Sequence, residues 1–193
     1  MTNNYKINPN IPGWSSIDKL EMLAEFASQV PDDGWIVEVG SFCGRSAYAM
    51  GMNKKDSVTL TCFDLFPLHP HLTHSDFGDQ TKPYWYDEFV SNTNEVINLE
   101  AVRILTPINC KYMSFSKKIN LIFIDCVHSY EAVKSDIAFW RRFMADDGVI
   151  VFDDYFDMFP GCIQAVDEFI AEYNLASEIG PSCSMIVKLG KPA

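Results

Sequence analysis

Two periodicities alternate along the chain. Behind Ser15 and Ser16, either of which can serve as N-cap, the apolar residues Ile17, Leu20, Leu23, Phe26, Ala27 and Val30 recur at helical spacing. This predicts a packed amphipathic helix. Positions 32–41, DDGWIVEVGS, then read as a turn and a short buried strand, and positions 44–52, GRSAYAMGM, as the helix that follows. The same alternation repeats downstream. SVTLTCFDLF is a β-rich run ending its strand at Asp64, and PLHPHLTHSDFGDQTKP, with its three prolines and three histidines, is an ordered loop or lid. YWYDEFVSNTNEVIN is predicted helical, VRILTP a strand, and INLIFID a buried strand ending at Asp125. In SYEAVKSDIAFWRRFM, Ala132, Val133, Ile137, Trp140 and Met144 share a helical face; GVIVFDD is a strand, CIQAVDEFIAEY a helix and SMIVKL a terminal strand.

Strands that are almost continuously apolar and alternate with helices predict an α/β domain, with helices on both faces of a mainly parallel sheet. Ligands of such sheets bind beyond the carboxyl ends of the strands, near the point where the strand order reverses. Function is therefore sought where strands end.

At 193 residues the chain fits one domain, with positions 1–34 as an N-terminal segment and helix, and positions 35–193 as the ligand-binding body. No run is long and charge-free enough to span a bilayer, and the start MTNNYKINPN lacks a secretory signal's basic and apolar regions, so a cytoplasmic location is expected. The six cysteines contain no C-x-x-C pair and are expected as buried thiols. A formal net charge of −11 repels phosphate backbones and anionic membranes. Nucleic acid and membrane are thus poor partners, and small neutral or cationic ligands fit better.

The first strand runs into EVGSFCGRS, carrying Glu38, Gly40, Ser41 and Gly44. Glycine after a strand permits a sharp turn and a close backbone approach, while G-x-G-x-x-G, the dinucleotide pattern, is absent. Asp64, 24 positions after Gly40, stands at the end of the second strand, where a carboxylate commonly takes ribose hydroxyls; the alternative is that it caps the next turn. The later strands end in Asp125 and in the pair Asp153 and Asp154. Neighbouring strands lie about 4.8 Å apart, so these carboxylates can converge, and their repulsion invites a Mg²⁺-like ion or a cationic ligand; capping of the following turn is the alternative. His128, three residues after Asp125, is either a general base or a residue that caps a helix or orients a substrate. His69, His71 and His74 form an H-x-H-x-x-H array whose zinc reading lacks a clear fourth ligand, which favours a lid over the substrate pocket.

WIVEVGSFCGRS, FDLF, INLIFIDCVHSYEAVKSDIAFW and GVIVFDDY, in this order, resemble the class I S-adenosylmethionine-dependent methyltransferases. The likeness is greatest to the small-molecule O-methyltransferase branch that includes macrolide-sugar methyltransferases and cephalosporin hydroxylase-like proteins. The resemblance implies a Rossmann-like, doubly wound sheet of seven strands with an antiparallel last strand. It further implies S-adenosylmethionine over the ends of the first and fourth strands, with Glu38, Gly40 and Ser41 on the methionine side and Asp64 on the ribose. In relatives that hold a metal, the ligands map onto Asp125, Asp153 and Asp154. Catechol-type relatives place a lysine base where this chain has His128, and many relatives read D-G-D-H-S-Y where Cys126 and Val127 replace the Gly-Asp pair.

The resulting expectation is an S-adenosylmethionine-dependent O-methyltransferase acting on a hydroxylated small molecule. Asp125 and His128 would be catalytic, Glu38, Gly40, Ser41, Gly44, Asp64 and Asp125 would bind the cofactor, and Mg²⁺ would sit on Asp125, Asp153 and Asp154. A catalytically silent S-adenosylmethionine-binding protein and a nicotinamide-dependent oxidoreductase are the rival readings. The apolar N-terminal helix is a possible homo-oligomer interface.

Overall fold

The computed structural model describes residues 4–66, 85–103 and 115–190. The elements follow in the order α1 (Ile17–Gln29), β1 (Trp35–Val39), α2 (Arg45–Gly51), β2 (Thr59–Asp64), α3 (Trp85–Asn92) and β3 (Leu99–Arg103). Then come β4 (Ile119–Ile124), α4 (Tyr130–Trp140), a 3-10 turn (Arg141–Phe143), β5 (Met144–Phe152), α5 (Pro160–Tyr173), β6 (Ala176–Gly180) and β7 (Ser184–Lys188). The histidine array and most of the expected lid lie outside the described residues.

The seven strands form one sheet in the order β3-β2-β1-β4-β5-β7-β6. The strands from β3 to β5 are parallel, and β7 runs antiparallel to both β5 and β6. This is the doubly wound sheet with an antiparallel last strand that the resemblance implied. The order reverses between β1 and β4, which puts the crevice at the ends of these two strands.

Both faces are covered because successive side chains of a strand point to opposite sides. On β1, Trp35, Val37 and Val39 join the core under α4 and α5, while Ile36 joins the core under α1, α2 and α3. Every residue of β1 is consequently buried, which accounts for its unbroken apolar run. Leu23 and Ala27 of α1 belong to the same core as Ala47 and Met50 of α2. No described helix is long and apolar enough to cross a membrane.

Four elements depart from the sequence reading. The helix expected over YWYDEFVSNTNEVIN stops at Asn92, and β3 begins at Leu99, before the expected strand, because Asn98 turns the chain with φ 53°. β5 starts at Met144, not Gly148, and accommodates the exposed Asp146 and Asp147 through a register shift against β4. β6 carries no apolar alternation: it is an edge strand with three exposed residues, held by its ladder to β7.

Candidate active site

The parallel ladders extend one rung past the strands. Gly40 N–H donates to Phe63 O at 2.8 Å, Asp125 N–H to Val39 O at 2.8 Å, and Asp153 N–H to Ile124 O at 2.9 Å. Gly40, Asp125 and Asp153 therefore stand abreast at the carboxyl rim. A Cβ at position 40, where φ is 92°, would lie 1.7 Å from the Asp125 carbonyl oxygen. Glycine is required there by the neighbouring strand end. Gly44, at φ 87°, has an analogous reason, since a Cβ would press on Thr93 and Phe89 at 2.9 and 3.0 Å.

Past β1, the backbone N–H groups of Ser41 and Phe42 both donate to Asp64 Oδ2 at 2.8 Å. The other oxygen of Asp64 accepts from Phe66 N–H at 2.9 Å and from Trp85 Nε1 at 3.3 Å. Asp64 thus does cap its own turn, and in addition shapes the glycine turn. The buried Ser41 hydroxyl has no hydrogen-bond partner among the described residues. Trp14, Phe42 and Trp85 form an aromatic row beside this turn, with ring centroids 5.0 and 5.5 Å apart. Trp14 and Phe42 were not singled out from the sequence, where isolated aromatics in polar or glycine-bearing segments give no periodic signal.

Glu38 points to the α2 side and is fully buried, accepting a hydrogen bond from the Ser46 hydroxyl. Its second carboxyl oxygen has no partner among the described residues. Burial pushes its pKa up to about 7; the nearby Ser41 and Ser46 hydroxyls act the other way. Such a carboxyl is placed to support the turn from beneath.

At the ends of β4 and β5 the two adjacent aspartates part company. Asp153 faces α1 and forms a buried ion pair with Lys19, whose side chain is 5% exposed. Its Oδ1 also accepts from the Asp154 N–H at 2.8 Å. Asp154 adopts a left-handed backbone, φ 54°, and turns its carboxylate toward His128. The His128 Nε2 lies 3.2 Å from Asp154 Oδ2 and 3.6 Å from Asp125 Oδ1, yet it is buried and makes no aligned hydrogen bond. One candidate ligand atom from each of Asp125, His128 and Asp154 lies within 4.8 Å of the others. The expected trio of Asp125, Asp153 and Asp154 is therefore not what the rim gathers: His128 stands in the cluster, and the Asp153 carboxylate is taken by Lys19.

The electrostatics agree with the geometry. Asp125 keeps about a third of its side-chain exposure but sits in a corner that hydrates it poorly, and this desolvation pushes its pKa up to about 6 against the pull of His128. Asp154 is raised by burial and by Asp153. Burial alone would depress His128, but the carboxylates around it outweigh that and hold its pKa above the ordinary value. An imidazole nitrogen that sits between two carboxylates without an aligned hydrogen bond to either fits a divalent ion coordinated by Asp125, His128 and Asp154. His128 does not cap α4 and neither aspartate caps α5, although Asp153 does hold the Asp154 N–H in the turn after β5. Ser129 caps α4 by accepting from Ala132 N–H, and α5 starts at Phe159 without a side-chain cap.

Lys19 was missed although it leaves a trace in the sequence. It lies four residues before Leu23 on the core-facing stripe of α1, a position where a charge demands a partner. Asp136 is a similar case on α4: it is buried, accepts from the Cys126 thiol at 3.1 Å and is pushed up to about 6 by burial.

A family model described as a methyltransferase domain matches residues 37–155. The chain belongs to this methyltransferase family. The matched stretch runs from β1 to just past Asp154 and so contains the whole rim of this methyltransferase. No curated protein has a sequence that matches the chain. Among solved structures, the O-methyltransferase NovP superimposes with a TM-score of 0.69 at 18% identity, covering 91% of this chain and 81% of that one. A TDP-rhamnose 3′-O-methyltransferase of calicheamicin biosynthesis gives 0.63 at 16% identity, with 89% and 77% covered. The O-methyltransferase TomG from Streptomyces achromogenes, in complex with SAM, gives 0.61 at 13% identity, with 94% and 83% covered. At these identities the likeness shows the fold.

Proposed function

We propose that this methyltransferase transfers a methyl group from S-adenosylmethionine to a hydroxyl of a small molecule. The observation that carries the reading is the meeting of Asp125, His128 and Asp154 at the strand ends, beside the turn that begins at Gly40. The buried Ser41 hydroxyl, which lies near Glu38 but makes no aligned hydrogen bond among the described residues, supports a ligand on that turn. Asp64 would reach ribose hydroxyls by giving up the long bond from Trp85, and the aromatic row of Trp14, Phe42 and Trp85 offers flat faces for an adenine. Glu38, buried beneath the turn, would act on the cofactor through Ser46 and the backbone. Gly40 and Gly44 would keep the backbone path open.

The cofactor supplies a methyl group on a sulfonium, whose charge is lost as the acceptor oxygen is alkylated. The corner formed by Asp125, His128 and Asp154 holds the acceptor oxygen in line with that methyl group. A divalent ion such as Mg²⁺, held by Asp125, His128 and Asp154, would act as a Lewis acid that lowers the pKa of the acceptor hydroxyl. In its absence, the Nε2 of His128 takes the hydroxyl proton, with Asp125 and Asp154 stabilising the imidazolium. His128→Ala is expected to lower the turnover number by roughly 10²-fold or more while leaving cofactor affinity near wild type. Chelation separates the two routes. Loss of turnover in EDTA, restored by Mg²⁺, assigns His128 as a ligand, whereas unchanged turnover assigns it as the base.

A further inference from the structure

Two carboxylates side by side at the end of β5 would both be available to a cation, but the protein has already spent one of them on a cation of its own. Lys19 sits in the first turn of α1, with its ammonium on Asp153 and both side chains almost wholly buried. The helix cannot easily withdraw it. Its start is tied to the turn between β6 and β7, because the Ser16 hydroxyl meets that of Ser182, and the Ser182 hydroxyl donates to Asp18 at 3.2 Å. That turn is in turn fixed to the rim, where Tyr155 N–H donates to Cys183 O at 2.7 Å. The ammonium is thus held one residue from Asp154.

We infer that Lys19 is a built-in counter-cation that withholds Asp153 from metal binding and thereby lowers the affinity of the rim for divalent ions. The inference rests on the reading that Asp125, His128 and Asp154 can receive such an ion, but it concerns Lys19 and does not depend on methyl transfer. Two effects act together. Breaking a buried ion pair is costly, so an incoming ion does not gain Asp153 as a ligand. The neighbouring positive charge also repels that ion at short range, where solvent screens little. By the same pairing Asp153 is kept from adding a further unneutralised charge beside Asp154, whose N–H it holds in the left-handed turn. Lys19 is therefore a positioning residue, which sets how many oxygens the rim presents.

The test is equilibrium binding of Mn²⁺ to the purified full chain, followed by the loss of the free-ion paramagnetic resonance signal, with no methyl donor or acceptor present. Lys19→Met retains the apolar stem and frees Asp153, so Mn²⁺ should bind about tenfold or more tightly than to wild type. The double variant Lys19→Met/Asp153→Asn should return to the wild-type affinity. Lys19→Gln, which reads the same claim even if Lys19→Met folds poorly, should tighten Mn²⁺ binding by a similar factor. Lys19→Met binding no tighter than wild type, including no binding by either, overturns the inference. So does a Lys19→Met/Asp153→Asn double variant that binds as tightly as Lys19→Met, since the gain would then not come through Asp153. Failure of the transfer assay with these outcomes intact would touch the proposed function and leave Lys19 in its role.

Discussion

Glu38 shows how a single buried side chain links the fold to its conditions. Its carboxyl titrates near 7 in the folded chain, whereas an unfolded glutamate titrates at about 4.3. Between these values the folded state binds the extra proton. Stability from this group is therefore complete below about pH 4.3 and is lost as pH rises through about 7. Denaturant unfolding of wild type and Glu38→Gln across that range should show a difference that grows with pH, the variant being relatively more stable at pH 8. A difference of on the order of a few kcal/mol is expected, and a difference independent of pH would mean that Glu38 is ionised in the fold. The reason for the burial is local: period-two alternation sends Glu38 to the same side as Ile36, under α2, where the Ser46 hydroxyl meets it.

Among the elements, α1 is the one whose role exceeds its packing. Ser16 accepts from Lys19 N–H at its first turn, and the turn it caps carries the lysine that reaches Asp153. Ser16→Ala should cost about 1 kcal/mol in chemical unfolding; no change in the denaturation midpoint would mean the cap does not order the turn. The elements were legible in proportion to their burial. β1, β4 and the end of β5 were evident because both of their faces are covered, and α1 and α4 because one face is. β6 was not, since an edge strand such as ASEIG is specified by the partner it pairs with and not by its own side chains. The strand-end positions of Asp125, Asp153 and Asp154 followed from the same apolar runs. What the runs did not contain is direction: adjacent aspartates point to opposite faces, and which of them meets His128 depends on a lysine 134 positions earlier.

For the whole molecule, the sheet order brings together residues from distant parts of the chain at one rim. The reversal between β1 and β4 places the glycine turn beside Asp125, and the parallel pairing of β4 with β5 adds Asp154. A net charge of −11 over the chain suits a cationic cofactor and disfavours phosphate polymers. The measurement that bears most directly on this account uses S-adenosylmethionine with a deuterated methyl group and a panel of sugars and phenols. Mass spectrometry then reads the label on acceptor oxygen for wild type, Asp125→Asn and His128→Asn. Label should reach an acceptor with wild type and fall by about 10²-fold or more in both variants, with cofactor binding kept in His128→Asn; variants that transfer label at the wild-type rate would contradict the assignment of this rim.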